Sequence, residues 1–185
     1  MSKVIKIRKG LNIPIAGEAE RNYIEMPYPK TVAIKPPEFR GLNLKLAVKA
    51  DDLVRIGTPL LYDKANNDIV VTSPVSGKVL VVNRGEQRRI LELIIETDGL
   101  NTAEPTEGFN RSSLTKGLIV EHLLKTGLWV FIKQRPFGIV ADPKSTPRDI
   151  FISCFDSSPL APDVSFIVEQ DRKAFISGIE ILRQL

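Results

Sequence analysis

The chain has 185 residues, 43% of them hydrophobic and 26% charged, with a formal net charge of +4. That length supports a real core, in one sizeable domain or two small ones, and the composition excludes wholesale disorder. One cysteine, Cys154, and one histidine, His122, exclude an intramolecular disulfide and any iron–sulfur or cysteine-built zinc site held by this chain alone.

The charge excess suits an anionic surface or an acidic partner, but an ordinary solvated surface carries as much. The start, Met1-Ser2-Lys3-Val4-Ile5-Lys6-Ile7-Arg8-Lys9, is interrupted by charge throughout. It is neither a signal peptide nor a spanning helix. The apolar stretch 117–132 contains Glu121, His122 and Lys125. A membrane span needs about 20 mostly apolar residues, so a soluble chain is expected, free to sit on a membrane protein.

Up to about Asp98 the sequence predicts short strands: Val4–Ile7, Thr31–Ile34, Leu42–Leu46, Ile69–Thr72, Lys78–Val82 and Ile90–Ile95. The turns between them carry Gly, Pro, Asn and Asp, as in Gly57-Thr58-Pro59, Asn66-Asn67-Asp68 and Asn83-Arg84-Gly85. Such spacing predicts a small β-rich barrel or sandwich. The stretch 98–108 reads as a linker. Beyond it, Ser113 is the expected N-cap of a helix through Lys125, with apolar pairs four residues apart and Gly127 as its stop.

The apolar run Asp149–Phe155 predicts a strand buried on both faces, with Cys154 as a small core residue. From about Glu169 a helix is expected, with Phe175, Ile179 and Leu182 on one face. A strand followed by a helix opens an α/β unit that requires a further parallel strand. The expectation is therefore an α+β chain in three parts. Residues 1–100 form the β-rich domain and 101–148 a linker, helix and aromatic loop. Residues 149–185 form the first strand and helix of a truncated Rossmann-like α/β domain.

Motifs for chemistry are scarce. No G-x-G-x-x-G or G-x-x-x-x-G-K-[ST] loop occurs, and no Gly-x-Ser-x-Gly frames a nucleophile. With 6% aromatic residues and mixed charges, no nucleic-acid module is expected. His122 is expected on a helix surface or partly buried, not as a metal ligand. Asp63-Lys64-Ala65 looks like the Asp-Lys-Ala that carries lipoate, but Asn66, Asn67 and Asp68 shift the hairpin tip away from Lys64. Lys64 therefore reads as a solvated turn lysine. The most distinctive segment is Gly127–Phe137, which holds Trp129, Phe131, Arg135, Pro136 and Phe137.

Two resemblances attach to these residues. Val48–Leu60 with Ser73-Pro74-Val75-Ser76-Gly77-Lys78-Val79 resembles the half-barrel repeats of biotinyl and lipoyl carrier domains, with Gly77 relieving a bend that a Cβ would obstruct. The second covers nearly the whole chain. It rests on Lys9–Gly17, Ser73–Gly77, Asn83–Arg89, Gly127-Leu128-Trp129 with Arg135-Pro136-Phe137, and Asp156–Pro162. In that order they resemble the N-terminal portion of the A-subunit family of the bacterial sodium-translocating NADH:quinone reductase. The C subunit of the Rnf complex and the flavin subunit of complex I are more distant relatives.

The resemblance implies a peripheral subunit on the cytoplasmic face of the inner membrane. It would dock on the other subunits, above all the B subunit in the membrane, and assist ubiquinone reduction and assembly. It implies no catalytic residue and no cofactor on this chain, with NADH, FAD, FMN and Fe–S centres belonging to other subunits and ubiquinone the substrate of the complex. Complex I relatives carry a glycine-rich flavin loop after the helix. Here Leu128, Trp129, Phe131 and Gln134 stand in that place, and bulky side chains block close backbone approach to a pyrophosphate. Trp129, Arg135 and Phe137 are the candidates for contact with a partner or quinone, with packing of the domain core as the rival role. An Rnf-type C subunit and a non-catalytic carrier or scaffold domain are the alternative functions.

Overall fold

The computed structural model describes residues 16–17, 20–106, 108, 114–156, 158 and 160–185. The expected Val4–Ile7 strand, the Ser113 cap and most of the Lys9–Gly17 motif lie outside them, as do Ser157 and Pro159.

Seven strands build the first part: β1 (Thr31–Ile34), β2 (Leu44–Leu46), β3 (Leu53–Val54), β4 (Pro59–Asp63), β5 (Val70–Thr72), β6 (Gly77–Arg84) and β7 (Ile90–Thr97). They form two antiparallel sheets, ordered β1-β7-β6-β3 and β2-β4-β5. Leu60, Leu61, Val71, Val79, Leu93 and Ile95 fill the space between. Burial of these side chains on both inner faces holds the sandwich together, at about 1.5–3 kcal/mol each.

The alternation expected along Leu42–Leu46 holds, with Leu42, Leu44 and Leu46 toward the core and Asn43 and Lys45 outside, and it continues through exposed Ala47 to half-buried Val48. Register shifts lie between Pro59 and Leu61 in β4 and between Val79 and Val81 in β6. The β4 irregularity lets the neighbours Leu60 and Leu61 both face inward.

The Ser73–Gly77 corner is tied by side chains. Ser73 Oγ donates to the Val75 carbonyl, and buried Ser76 donates to Asp98 Oδ1 at 2.6 Å while accepting from Thr102 N. Ser76 first, then the Leu100 N–H, hold the Asp98 carboxyl below its usual range. Gly77 has φ +151° and lies against β7, where an added Cβ would stand 1.9 Å from the Glu96 carbonyl oxygen. The stretch after Asp98 is not a free linker at its start, because Ile56 bridges Ala103 and Thr58 donates to Glu104.

The helix α1 (Lys116–Lys125) is capped by Thr115, whose hydroxyl accepts from Leu118 N. Thr115 thus takes the role expected of Ser113. Being β-branched and extended at φ −117°, it turns its hydroxyl over the first free N–H groups. Ile119 is fully buried, with Val120, Leu123 and Leu124 beside it, and His122 is half-buried on the helix. Gly127 ends the helix at φ +72°.

Two helices follow, α2 (Val164–Gln170) and α3 (Arg172–Leu182). Asp163 caps α2, and the Phe166 N–H leads the contacts that hold its carboxyl low. Arg21 and Tyr23, from the N-terminal side, bind this helix: Arg21 pairs with Asp163, and the Tyr23 ring stacks on Phe166. Phe175, Ile179 and Leu182 share the half-buried face of α3 as expected.

The strand expected at Asp149–Phe155 is absent. Phe151, Phe155 and Cys154 are exposed, and Ile150 and Ile152 only line a shallow hollow with Ile179 and Leu182. A strand exists only as a member of a ladder, and no described segment pairs with this one. Cys154 is correspondingly a surface thiol and not a core residue. Among the described residues no helix is long and apolar enough to cross a membrane.

Candidate functional site

The distinctive segment folds as a single device. After Gly127, a 3-10 turn (Leu128–Phe131) leads into the hairpin β8 (Lys133–Gln134) and β9 (Ile139–Val140). Trp129 points inward at 5% exposure, and with Val130 and Val140 it joins the core cluster of the sandwich. Its Nε1 donates to the Ala141 carbonyl at 2.8 Å, satisfying the one polar group the ring carries into the core. The Thr72 hydroxyl of β5 donates to Thr126 O. A Cβ on Gly127 would stand 2.6 Å from that hydroxyl, so the helix end lies directly on the strand.

The hairpin root is fixed in the same way. Lys133 pairs with Val140 and Gln134 with Ile139, and Gly138 N donates to Gln134 O at 2.9 Å. Val140 N donates to Arg40 O, and Lys133 Nζ donates to Val130 O and lies 6.0 Å from the Phe39 ring centroid. Partial burial pushes the Lys133 ammonium below its ordinary range. The tip, Arg135-Pro136-Phe137-Gly138, has a cis Arg135–Pro136 bond. It presents Arg135 to solvent and leaves Phe137 74% exposed, while Phe131 at the root is 71% exposed.

The three candidates therefore separate. Trp129 is inside and holds the device to the sandwich; Arg135 and Phe137 are outside. The aromatic composition marked the segment, but only the intervening 3-10 turn decides which ring is buried. The N–H groups that flank this turn serve the fold, as Gly127 N donates to Leu124 O and Ile132 N to Trp129 O. Buried Trp129 and Val130 fill the space beneath the turn.

Lys64 lies just after β4. Buried Asp63 accepts from Asn43 N at 2.7 Å and Asn66 N at 3.1 Å, and the turn is made at Asn67 and Asp68. The hairpin tip is thus at Asn67, not at Lys64. No group of three or more His, Cys, Asp and Glu side chains able to hold a metal occurs among the described residues.

Sequence reasoning missed a second feature. An open groove of about 830 Å³ runs beside β2, between the Pro36–Arg40 turn and the end of the β6–β7 hairpin. Its cations come from separate segments of the chain, so no local motif announces it.

A two-sheet sandwich tied at a Pro-Val-Ser-Gly corner defines a barrel-sandwich hybrid domain, and a helical part follows it. Residues 5–98 match the family described as the NqrA N-terminal barrel-sandwich hybrid domain, and residues 114–185 match the NqrA second alpha/beta domain. The chain belongs to the NqrA family. It is 36% identical over 185 residues to the A subunit of the Na(+)-translocating NADH-quinone reductase of Yersinia pseudotuberculosis serotype O:1b (strain IP 31758). It is 34% identical over 187 residues to the protein of the same name from Pseudomonas aeruginosa (strain UCBPP-PA14). Each match covers 98% of this chain and 41% of the relative.

Proposed function

We propose that this chain serves in the A subunit of a Na+-translocating NADH–quinone reductase, as a docking and positioning element with no catalytic residue and no redox centre of its own. Its partners are the other subunits, the B subunit in the membrane above all, approached from the cytoplasmic face. The complex passes electrons from NADH to ubiquinone and exports sodium, and the flavins and Fe–S centres reside on the other subunits.

The observation that carries this reading is the hairpin tip. A solvent-facing Arg135 and Phe137 project from a hairpin whose Gly138, Val140 and Ala141 N–H groups are bonded within the fold and whose neighbouring tryptophan is locked into the core. An exposed aromatic beside an arginine, held on a fixed scaffold, is the residue pairing that dominates protein interfaces. It supports contact of Arg135 and Phe137 with a partner subunit or the quinone, with Trp129 setting their position.

The test is Arg135→Ala with Phe137→Ala in the assembled complex. Both side chains are exposed, so the variant should fold normally and lose assembly or quinone reductase activity. A folded variant with both unchanged sinks the proposal. The relatives are named for the sodium-translocating enzyme, which favours this reading over an Rnf-type protein, and the displacement of Lys64 from its hairpin tip disfavours a carrier role.

A further inference from the structure

We propose that the groove beside β2 is a docking site for an acidic, extended polypeptide segment, which adds to β2 as a further strand. This deepens the docking reading above by naming the chemistry of a second contact.

The first observation is charge. Arg40, Lys45, Arg84, Arg88 and Arg89 line the groove, and no Asp or Glu does. None of the five takes part in a salt bridge among the described residues. One is turned to the fold, since Arg84 Nη1 donates to the Arg88 carbonyl. Cations lining one concavity, with no acid among the lining residues, create a positive potential that an acidic ligand relieves.

The second observation is the sheet edge. β2 is terminal in its sheet and pairs only with β4 among the described residues. Lys64 N donates to Asn43 O, and Ala47 N donates to Leu60 O. Main-chain direction alternates along an antiparallel strand, so the N–H and C=O groups of Leu44 and Leu46 point the other way, to the open edge. Both residues line the groove, together with Phe39. An open edge flanked by apolar side chains is a template for strand addition, in which main-chain bonds supply affinity and alternate side chains supply specificity.

The two observations select the occupant. A lipid headgroup satisfies the cations but has no use for a strand edge, and a flat membrane meets a concave groove only at its rim. The chain's own residues 3–9 carry Lys3, Lys6, Arg8 and Lys9 and no acid, so they do not supply the negative charge that the cations call for. A partner strand alternating Asp or Glu with apolar residues satisfies edge, cations and apolar wall together.

The probe is a fluorescein-labelled octapeptide alternating Val and Glu, titrated against the intact protein and read by anisotropy. Saturable binding is expected, weakened at least about 10-fold between about 50 mM and about 500 mM salt. A comparable loss is expected when alternate peptide nitrogens are N-methylated, and in an R40E/R89E variant that reverses one exposed charge on each wall. K45E supplies a second variant should the first lose its native circular dichroism. The Arg135→Ala, Phe137→Ala variant should bind as the unaltered protein does, so failure of the hairpin reading is seen separately. Absent peptide binding, equal binding of the N-methylated copy, or binding to phosphatidylglycerol vesicles with none to the peptide would each overturn the proposal.

Discussion

Replacing Gly77 with alanine tests whether the β6–β7 contact at the Pro-Val-Ser-Gly corner is a steric requirement. The new Cβ would lie 1.9 Å from Glu96 O, 2.9 Å from Glu96 C and 3.0 Å from Thr97 Cα. All three are backbone atoms of a strand paired with β6 on one side and β1 on the other, so no side chain can rotate away. The φ of +151° adds a conformation that alanine rarely adopts, at about 1–3 kcal/mol. Overpacking adds about 1–3 kcal/mol. The sum, about 2–6 kcal/mol, is a large part of the roughly 5–15 kcal/mol that holds a domain folded. At about 2–4 °C per kcal/mol for a chain of this size, the melting temperature should fall by roughly 4–24 °C. Gly127→Ala is the internal control. Its clash is with the Thr72 side chain at 2.6 Å, so Thr72→Ala should recover part of the loss, whereas no single side-chain truncation should rescue Gly77→Ala. Calorimetry of both variants decides. A fall of less than about 3 °C for Gly77→Ala would refute the steric argument.

Three further outcomes follow. Asp63→Ala leaves the Asn43 and Asn66 N–H groups without their acceptor and should lower stability by about 2–3 kcal/mol in urea unfolding, with Asp63→Asn retaining part of it. Asp98 has its folded pKa lowered, chiefly by Ser76, so its contribution is present above the unfolded value of about 3.9 and lost as pH falls through the folded value. Asp98→Asn should therefore show a shallower loss of melting temperature between about pH 5 and pH 2 than the unaltered protein, and an unchanged slope would count against the Ser76 contact. Trp129→Phe removes the bond to Ala141 O and should cost about 2–3 kcal/mol, whereas Phe137→Ala should change stability by no more than about 0.5 kcal/mol. The two are compared by thermal melting.

What the sequence discloses follows from where each signal resides. β1, β5, β6 and β7 were legible because turn residues bracket β-rich runs. β4 was not, because the irregularity after Pro59 buries Leu60 and Leu61 together and destroys the period of two. Asp149–Phe155 misled in the opposite sense. An apolar run specifies a strand only if a neighbour completes the ladder, and periodicity carries no information about that neighbour. At the candidate site, composition found Trp129, Arg135 and Phe137 but could not assign inside and outside. The groove stayed hidden because Arg40 and Lys45 are distant in sequence from Arg84, Arg88 and Arg89, and only the fold brings the β2 edge and the β6–β7 turn together.

The hairpin and the groove are mechanically one object. Arg40 lends its carbonyl to Val140 N in β9 while its side chain lines the groove. Gly41 lies so close to Ile139 that a Cβ there would stand 2.7 Å from the Ile139 Cβ. Close-packed contacts of this kind transmit displacement and do not absorb it. A partner segment seated on β2 would therefore hold the Arg40–Gly41 backbone and, through it, the root of the hairpin that presents Arg135 and Phe137. If both surfaces meet the same assembly, the second contact forms at the high effective concentration set by the first. Two individually weak surfaces on one rigid sandwich then suffice to fix a protein that carries no membrane-spanning helix among its described residues.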